Sequence, residues 1–292
     1  MSVPAADTIA VLAFEGTEGQ RVSISLTDVF GGSASVVLYD PFGKALQGVI
    51  GLSGLVEPTT LRSNATYSVV FDPQTASATS ATLTMYNVPP DITGPIGFGP
   101  PSLPVTTMVP GQNARLTFTG TSGQRVSVTQ AGFNCLTSVT TILRPDGTTQ
   151  TSTCGGTFVE VQTLTATGTY TILVDPKDAG FGSTTLKIYE VTDLSLAIVP
   201  GGAAVPVTTT VPGQDARLTF AATAGQRVSL GQAGFNCLTS STTILRPDGT
   251  TQASACGGDY IDVQTLTPDG QKAVARFKDI VSVLSATLRD LT

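Results

Sequence analysis

One long passage of this chain occurs twice: of the 65 positions from Pro104 to Gly168, 49 recur identically between Pro206 and Gly270. The shared text reads V-P-G-Q-x-A-R-L-T-F, G-Q-R-V-S, Q-A-G-F-N-C-L-T-S, T-T-I-L-R-P-D-G-T-T-Q and V-Q-T-L-T. A period of about a hundred residues is too long for a solenoid rung and suits a whole β-domain. A weaker copy stands in front. Residues 12–23 align with 116–127, Thr66-Tyr67 with Thr169-Tyr170, Phe71-Asp72-Pro73 with Val174-Asp175-Pro176, and residues 83–86 with 186–189. The 292 residues thus divide into modules at 1–88, 104–191 and 206–292, with Pro- and Gly-bearing linkers at 89–103 and 192–205. Proline in those linkers implies stiff spacing.

The local pattern is that of strands. Leu116 and Phe118 alternate with Arg115 and Thr117, Val126 and Val128 with Arg125 and Ser127, and Tyr170, Ile172 and Val174 with the residues between them. A period of two marks half-buried strands. Turn residues punctuate them at Pro110-Gly111, Ser122-Gly123, Pro145-Asp146-Gly147, Gly155-Gly156 and Thr167-Gly168. About eight short strands per module predict an all-β chain of three tandem antiparallel sandwiches of jelly-roll type. The cross-copy matches of Tyr67 with Tyr170 and Tyr86 with Tyr189 place these four tyrosines in the core pattern.

The third copy breaks after Gly270. Where the template asks for T-Y-T-I-L-V-D-P the chain reads Q-K-A-V-A-R-F-K, and Val274, Phe277, Val281, Leu284 and Leu288 follow at spacings of three and four. That spacing predicts an amphipathic helix in place of two strands. Three readings stand open at this level: a truncated or frame-shifted end, a helix capping the array, and an incomplete sandwich that accepts a strand from a partner.

Composition removes several function classes. The net charge of −6 and the lack of any Lys/Arg run argue against nucleic acid. No apolar stretch has the length of a transmembrane span, and Met1 leads into S-V-P-A-A-D without the pattern of a signal peptide. With no histidine anywhere, Ser-His-Asp, Cys-His and His-liganded zinc chemistry are excluded. Glu160, Asp175, Asp178 and Glu190 are scattered over different predicted strands and turns, which does not suit a catalytic carboxylate pair. No catalytic residue, cofactor or metal site is expected.

Cys135 and Cys154, and Cys237 and Cys256, recur at one spacing and form no C-x-x-C pair. One disulfide within each of these modules is the expectation, and it points to an exported protein whose export signal lies outside these residues. If Pro145-Asp146-Gly147 turns a hairpin, Cys154 comes to its open end near Cys135, and the bridge would stabilise a module by roughly 3 kcal/mol. Gly31 and Ile50 stand at the matching places in module 1, so the bridge adds to the fold without founding it.

The run G-Q-R-V at 123–126, P-D-G at 145–147, Thr163-Leu164, G-T-Y at 168–170 and V-D-P at 174–176 resembles the bacterial pre-peptidase C-terminal domain. It resembles still more the tandem copies found in large bacterial surface proteins of the YD-repeat kind. The resemblance implies a non-catalytic β-sandwich module, carried beside secreted proteases or within long surface proteins. The acidic calcium cluster of some related collagen-binding domains has no counterpart here. Two functions follow as expectations: an extracellular spacer or adhesion stalk within a larger polypeptide, and an accessory module holding a secreted hydrolase near a protein or polysaccharide polymer. The candidate binding loop is Phe133-Asn134, with Phe235-Asn236 in the next copy; the plainer reading makes the two phenylalanines plugs at one end of each sandwich.

Overall fold

The structure, a computed structural model, describes residues 2–3, 8–75, 79–134, 136–156, 158–233, 241–256, 260–266, 273–278 and 283–290. Module 1 comprises β1 (Ser2–Val3), β2 (Ala10–Gly16), β3 (Arg21–Phe30), β4 (Ala34–Tyr39), β5 (Ala45–Gly51), β6 (Gly54–Thr60), β7 (Ala65–Pro73) and β8 (Thr79–Asn87). A linker strand, β9 (Ile92–Pro95), leads to β10 (Leu103–Thr107), β11 (Ala114–Gly120), β12 (Arg125–Ala131), β13 (Ser138–Leu143), β14 (Thr149–Cys154), β15 (Phe158–Thr163), β16 (Gly168–Pro176) and β17 (Gly182–Glu190). A second linker strand, β18 (Leu194–Ala197), precedes β19 (Val205–Thr208), β20 (Ala216–Phe220), β21 (Arg227–Ala233), β22 (Ser241–Leu245), β23 (Thr251–Cys256), β24 (Tyr260–Thr265), β25 (Ala273–Lys278) and β26 (Val283–Asp290).

The strand order repeats. Module 1 pairs β1-β8-β3-β6 in one sheet and β2-β7-β4-β5 in the other. Module 2 gives β10-β17-β12-β15 and β14-β13-β16-β11-β9, and module 3 gives β19-β26-β21-β24 and β18-β20-β25-β22-β23. The fold is all-β, as the period of two predicts. The two linker strands break the antiparallel rule, β9 running parallel to β11 and β18 parallel to β20.

The inward faces follow the alternation. In β11 the burial runs in strict alternation at Leu116 and Phe118, and Val126, Val128, Ile172 and Val174 are fully buried. Tyr67 and Tyr170 are also buried, and each turns its hydroxyl back to the chain four residues upstream: Tyr170 Oη accepts from Ala166 N at 3.0 Å and donates to Ala166 O at 2.9 Å. This is a tyrosine-corner arrangement, which ties a strand to the preceding turn. Tyr86 and Tyr189 depart from expectation: both are only half-buried, on strands whose buried partners in module 2 are Leu186 and Ile188.

The expected C-terminal helix is not formed. Residues 273–278 and 283–290 are strands, and they fill the two slots that β16 and β17 occupy in module 2. Register sets Phe277 opposite Ala216 and Thr242, Ala275 opposite Leu218 and Ile244, and Ala273 opposite Phe220. The physical reason is the demand of the sheet. Without an intervening strand β20 and β22 would each present an unpaired edge inside the module, and that cost outweighs a helical spacing of apolar residues. The filled slots also set aside the reading of module 3 as an incomplete sandwich awaiting a partner's strand.

The chain falls into two compact units, one of Met1–Thr121, Gln130–Val159 and Ala166–Lys187, the other of Ser122–Thr129, Glu160–Thr165 and Ile188–Thr292. Among the described residues no helix is long and apolar enough to cross a membrane.

Candidate functional site

The predicted loop begins at Gly132, whose φ of +114° and close approach to β17 leave no room for a side chain: a Cβ there would lie 2.5 Å from Ser183 O. Phe133 is half-buried beside Gly182. Asn134 is exposed but folds the loop on itself: its Oδ1 accepts from Leu136 N at 2.9 Å and its carbonyl accepts from Thr137 N and Ser138 N. Leu136, next to it, is 85% exposed. The matching Phe235 and Asn236 lie outside the described residues.

The Pro-Asp-Gly turn behaves as a hairpin end. Arg144 N donates to Thr148 O, and the Asp146 carboxylate accepts from Thr148 N at 2.9 Å and from Thr148 Oγ1 at 2.6 Å. Those hydrogen bonds, with Arg144 nearby, hold Asp146 below the usual carboxylate range, and Asp248 repeats the arrangement with Thr250. At the open end Cys154 pairs in register with Val139. Neither Cys154 nor Cys256 is a free thiol, and their expected partners Cys135 and Cys237 lie outside the described residues. Peptide mapping without reduction is expected to recover Cys135 joined to Cys154 and Cys237 to Cys256; a Cys154–Cys256 peptide would refute this pairing.

What the sequence did not single out is a polar joint built twice from the same residues. At the first, within one compact unit, the linker carboxylate Asp91 is held from both sides: Arg21 of module 1 reaches Oδ1 at 3.1 Å and Arg115 of module 2 reaches Oδ2 at 3.0 Å. Arg21 also donates to Pro89 O at 2.9 Å. Gln112, almost fully buried, accepts from Met108 N at 2.8 Å and donates to Pro90 O at 2.8 Å, so one side chain ties the V-P-G-Q turn to the linker. Ser23 Oγ donates across to Pro110 O at 2.8 Å. Gly111 permits that approach, since a Cβ on it would stand 2.5 Å from Pro58 Cγ.

The second joint, within the other unit, repeats the aspartate, glutamine and serine contacts. Asp193 is paired by Arg125 of module 2 and by Arg217 of module 3, the latter at 3.6 Å. Gln214 accepts from Thr210 N at 2.8 Å and donates to Thr192 O at 2.6 Å, and Ser127 Oγ donates to Pro212 O at 2.7 Å. Burial alone would raise the Asp193 carboxyl, but the hydrogen bonds from Arg125 and Asp215 N and the charges of Arg125 and Arg217 outweigh it, and the net shift is downward. In the third copy the upstream half of the joint recurs as Arg227, exposed, and Ser229, whose Oγ is buried with no hydrogen-bond partner among the described residues. The signal that could have found the joint was present: Asp91 and Asp193 stand one repeat length apart inside linkers that otherwise share little.

No family model and no curated protein matches the chain, so the likeness to the pre-peptidase C-terminal domain rests on its motifs. Among solved structures it is similar to the CUB1-EGF-CUB2 domain of human MASP-1/3, with a TM-score of 0.21 and 12% identity over 65% of this chain and 99% of that one. It is similar also to Lac15 from a marine microbial metagenome, with a TM-score of 0.20 and 10% identity over 96% of this chain and 84% of that one. Likeness of this degree carries no argument about function.

Proposed function

We propose that the chain is a non-catalytic spacer, a run of β-sandwich modules that holds the other domains of a larger secreted or cell-surface bacterial polypeptide at fixed separation. The observation that supports this reading is the joint built twice. A tether that only connects needs no acid clamped by one arginine from each neighbour, no glutamine bound to the linker backbone and no linker strand hydrogen-bonded into the next sheet. Those features cost sequence freedom at Asp91, Arg115, Gln112 and their repeats, and what they give is orientation. The polymer-binding alternative would need the Phe133 loop to present its ring, and the half-burial of Phe133 does not favour it.

The test is orientational order between neighbouring modules. Asp193→Ala should leave each sandwich folded, lower stability by about 1–2 kcal/mol because partly buried charge-assisted bonds are lost, and broaden the intermodule distance distribution measured with spin labels in modules 2 and 3. Acid should mimic the variant. Because the folded Asp193 lies below its ordinary value of 3.8, its contribution is fully present above that pH and is lost as pH falls through the folded value. Distances equally narrow in the wild type, in Asp193→Ala and in acid would sink the spacer reading. Retention on insoluble protein or polysaccharide that Phe133→Ala abolishes would replace it with the polymer-binding one.

A further inference from the structure

Among the described residues, modules 2 and 3 each carry one strand more than module 1. The outer edge of β11 is covered by β9, with Ile92 N donating to Asn113 O and Ile96 N to Thr117 O, each at 2.9 Å. The outer edge of β20 is covered in the same way by β18, through Leu194 N to Asp215 O at 2.8 Å and Ile198 N to Thr219 O at 3.0 Å. β2 holds the same place in module 1 and ends its sheet, and no described strand pairs with its outer side.

The side chains on this side of module 1 are correspondingly exposed. Leu12 is 43% exposed, whereas its counterparts Leu116 and Leu218 are 2% and 0%. Met85 is 40% exposed where Ile188 is 0%. Beside them opens a cavity of about 170 Å³ lined by Leu12, Phe14, Ile24, Val69, Leu83 and Met85. In the other modules the linker strand helps to close this region: Ile96 and Ile198 are 6% and 2% exposed, and Leu194 and Leu196 pack against the core of module 3. An open edge beside an unfilled apolar cleft is the arrangement that strand addition completes.

We propose that β2 and this cleft form an acceptor for a strand running parallel to β2, supplied by the linker of another module of this kind. Its chemistry is fixed by the two occupants already present in the chain. They are extended, with apolar residues at alternate positions, as in Leu194-Ser195-Leu196-Ala197-Ile198 and Ile92-Thr93-Gly94-Pro95-Ile96. One difference sets the basis of recognition. Where Arg115 and Arg217 clamp the aspartate that precedes the strand, module 1 has Val11, 61% exposed. The strand is therefore held by backbone hydrogen bonds and apolar burial, without the ion pair. By equivalence with Asn113 and Thr117, the outward carbonyls belong to Ile9 and Ala13, with Val11 between them on the same side of the ladder.

A synthetic peptide of residues 192–199, titrated onto the full chain, tests this by backbone amide NMR. The expected result is saturable shifts confined to β2, β8 and the cleft, amide exchange at Val11 and Ala13 slowed about tenfold or more, and an affinity unchanged between about 50 and 500 mM salt. A peptide with Leu196→Asp should not bind. Val11→Pro, a change that edge strands tolerate, should abolish binding without lowering the melting temperature. Four results would overturn the proposal: no shift at millimolar peptide, equal binding of the Leu196→Asp peptide, affinity that falls steeply with salt, or self-association of the chain through β2 that excludes the peptide.

Discussion

Ending the chain at Gly270 is expected to unfold module 3 completely and leave module 1 folded. The deletion removes β25 from between β20 and β22, and β26 from between β19 and β21, so both sheets of the module lose an interior strand. Four ladders disappear at once. Leu218, Leu230 and Ile244, each 0% exposed in the intact chain, would be left in a core open on two sides. The deletion strips backbone partners from interior strands of both sheets, and unpaired buried amides are among the costliest defects a fold can carry. Calorimetry should show one transition fewer, with near-native enthalpy in what remains. A helical tail that merely capped the array would behave otherwise, since its loss would shift a transition without removing it. An unchanged unfolding enthalpy in the shortened chain would refute the strand assignment.

The second large effect is expected from Tyr170→Ala, at about 3–5 kcal/mol, the range for truncating a buried aromatic. Tyr170 is 0% exposed, stacks on Phe118 with ring centroids 5.4 Å apart, and spends its hydroxyl on both backbone groups of Ala166. Tyr170→Phe separates the two contributions. It keeps the ring and leaves the Ala166 groups to find water, at about 1–2 kcal/mol. Denaturant unfolding of both variants measures the difference, and a phenylalanine variant as damaging as the alanine one would assign the whole effect to the hydroxyl. Module 3 offers a natural contrast, because the register position facing Phe220, where its siblings have tyrosine, is Ala273.

Which parts of this fold could be read from the sequence follows from how local their causes are. Alternation within β11, β12 and β16 is a property of neighbouring residues, so strands and turns were visible, and the internal repeat multiplied that signal. The tail is not legible locally, for the opposite reason. Val274, Phe277, Val281, Leu284 and Leu288 satisfy a helical spacing locally, and only the vacancy between β20 and β22, built from residues far upstream, makes them strands. The joint was hidden by distance as well. Arg21 and Asp91 are 70 residues apart, and each sits in a motif that has a sufficient local explanation, one as a strand start and the other as a Pro-rich linker. The tyrosines divide along the same line: Tyr67 and Tyr170 take inward places set by alternation, whereas Tyr86 and Tyr189 lie one residue out of phase with the buried positions of their strands.

The linker strands bear on the order in which a ribosome delivers this chain. Residues 92–95 leave the exit tunnel before residues 114–120, and residues 194–197 before 216–220, so in modules 2 and 3 the protective strand is already outside when the edge it will cover emerges. Near-identical neighbours are prone to swapping strands while nascent. A cover that always arrives first, tethered to the preceding and already folded module, favours pairing in cis, which lets two copies this similar follow one another on a single polypeptide.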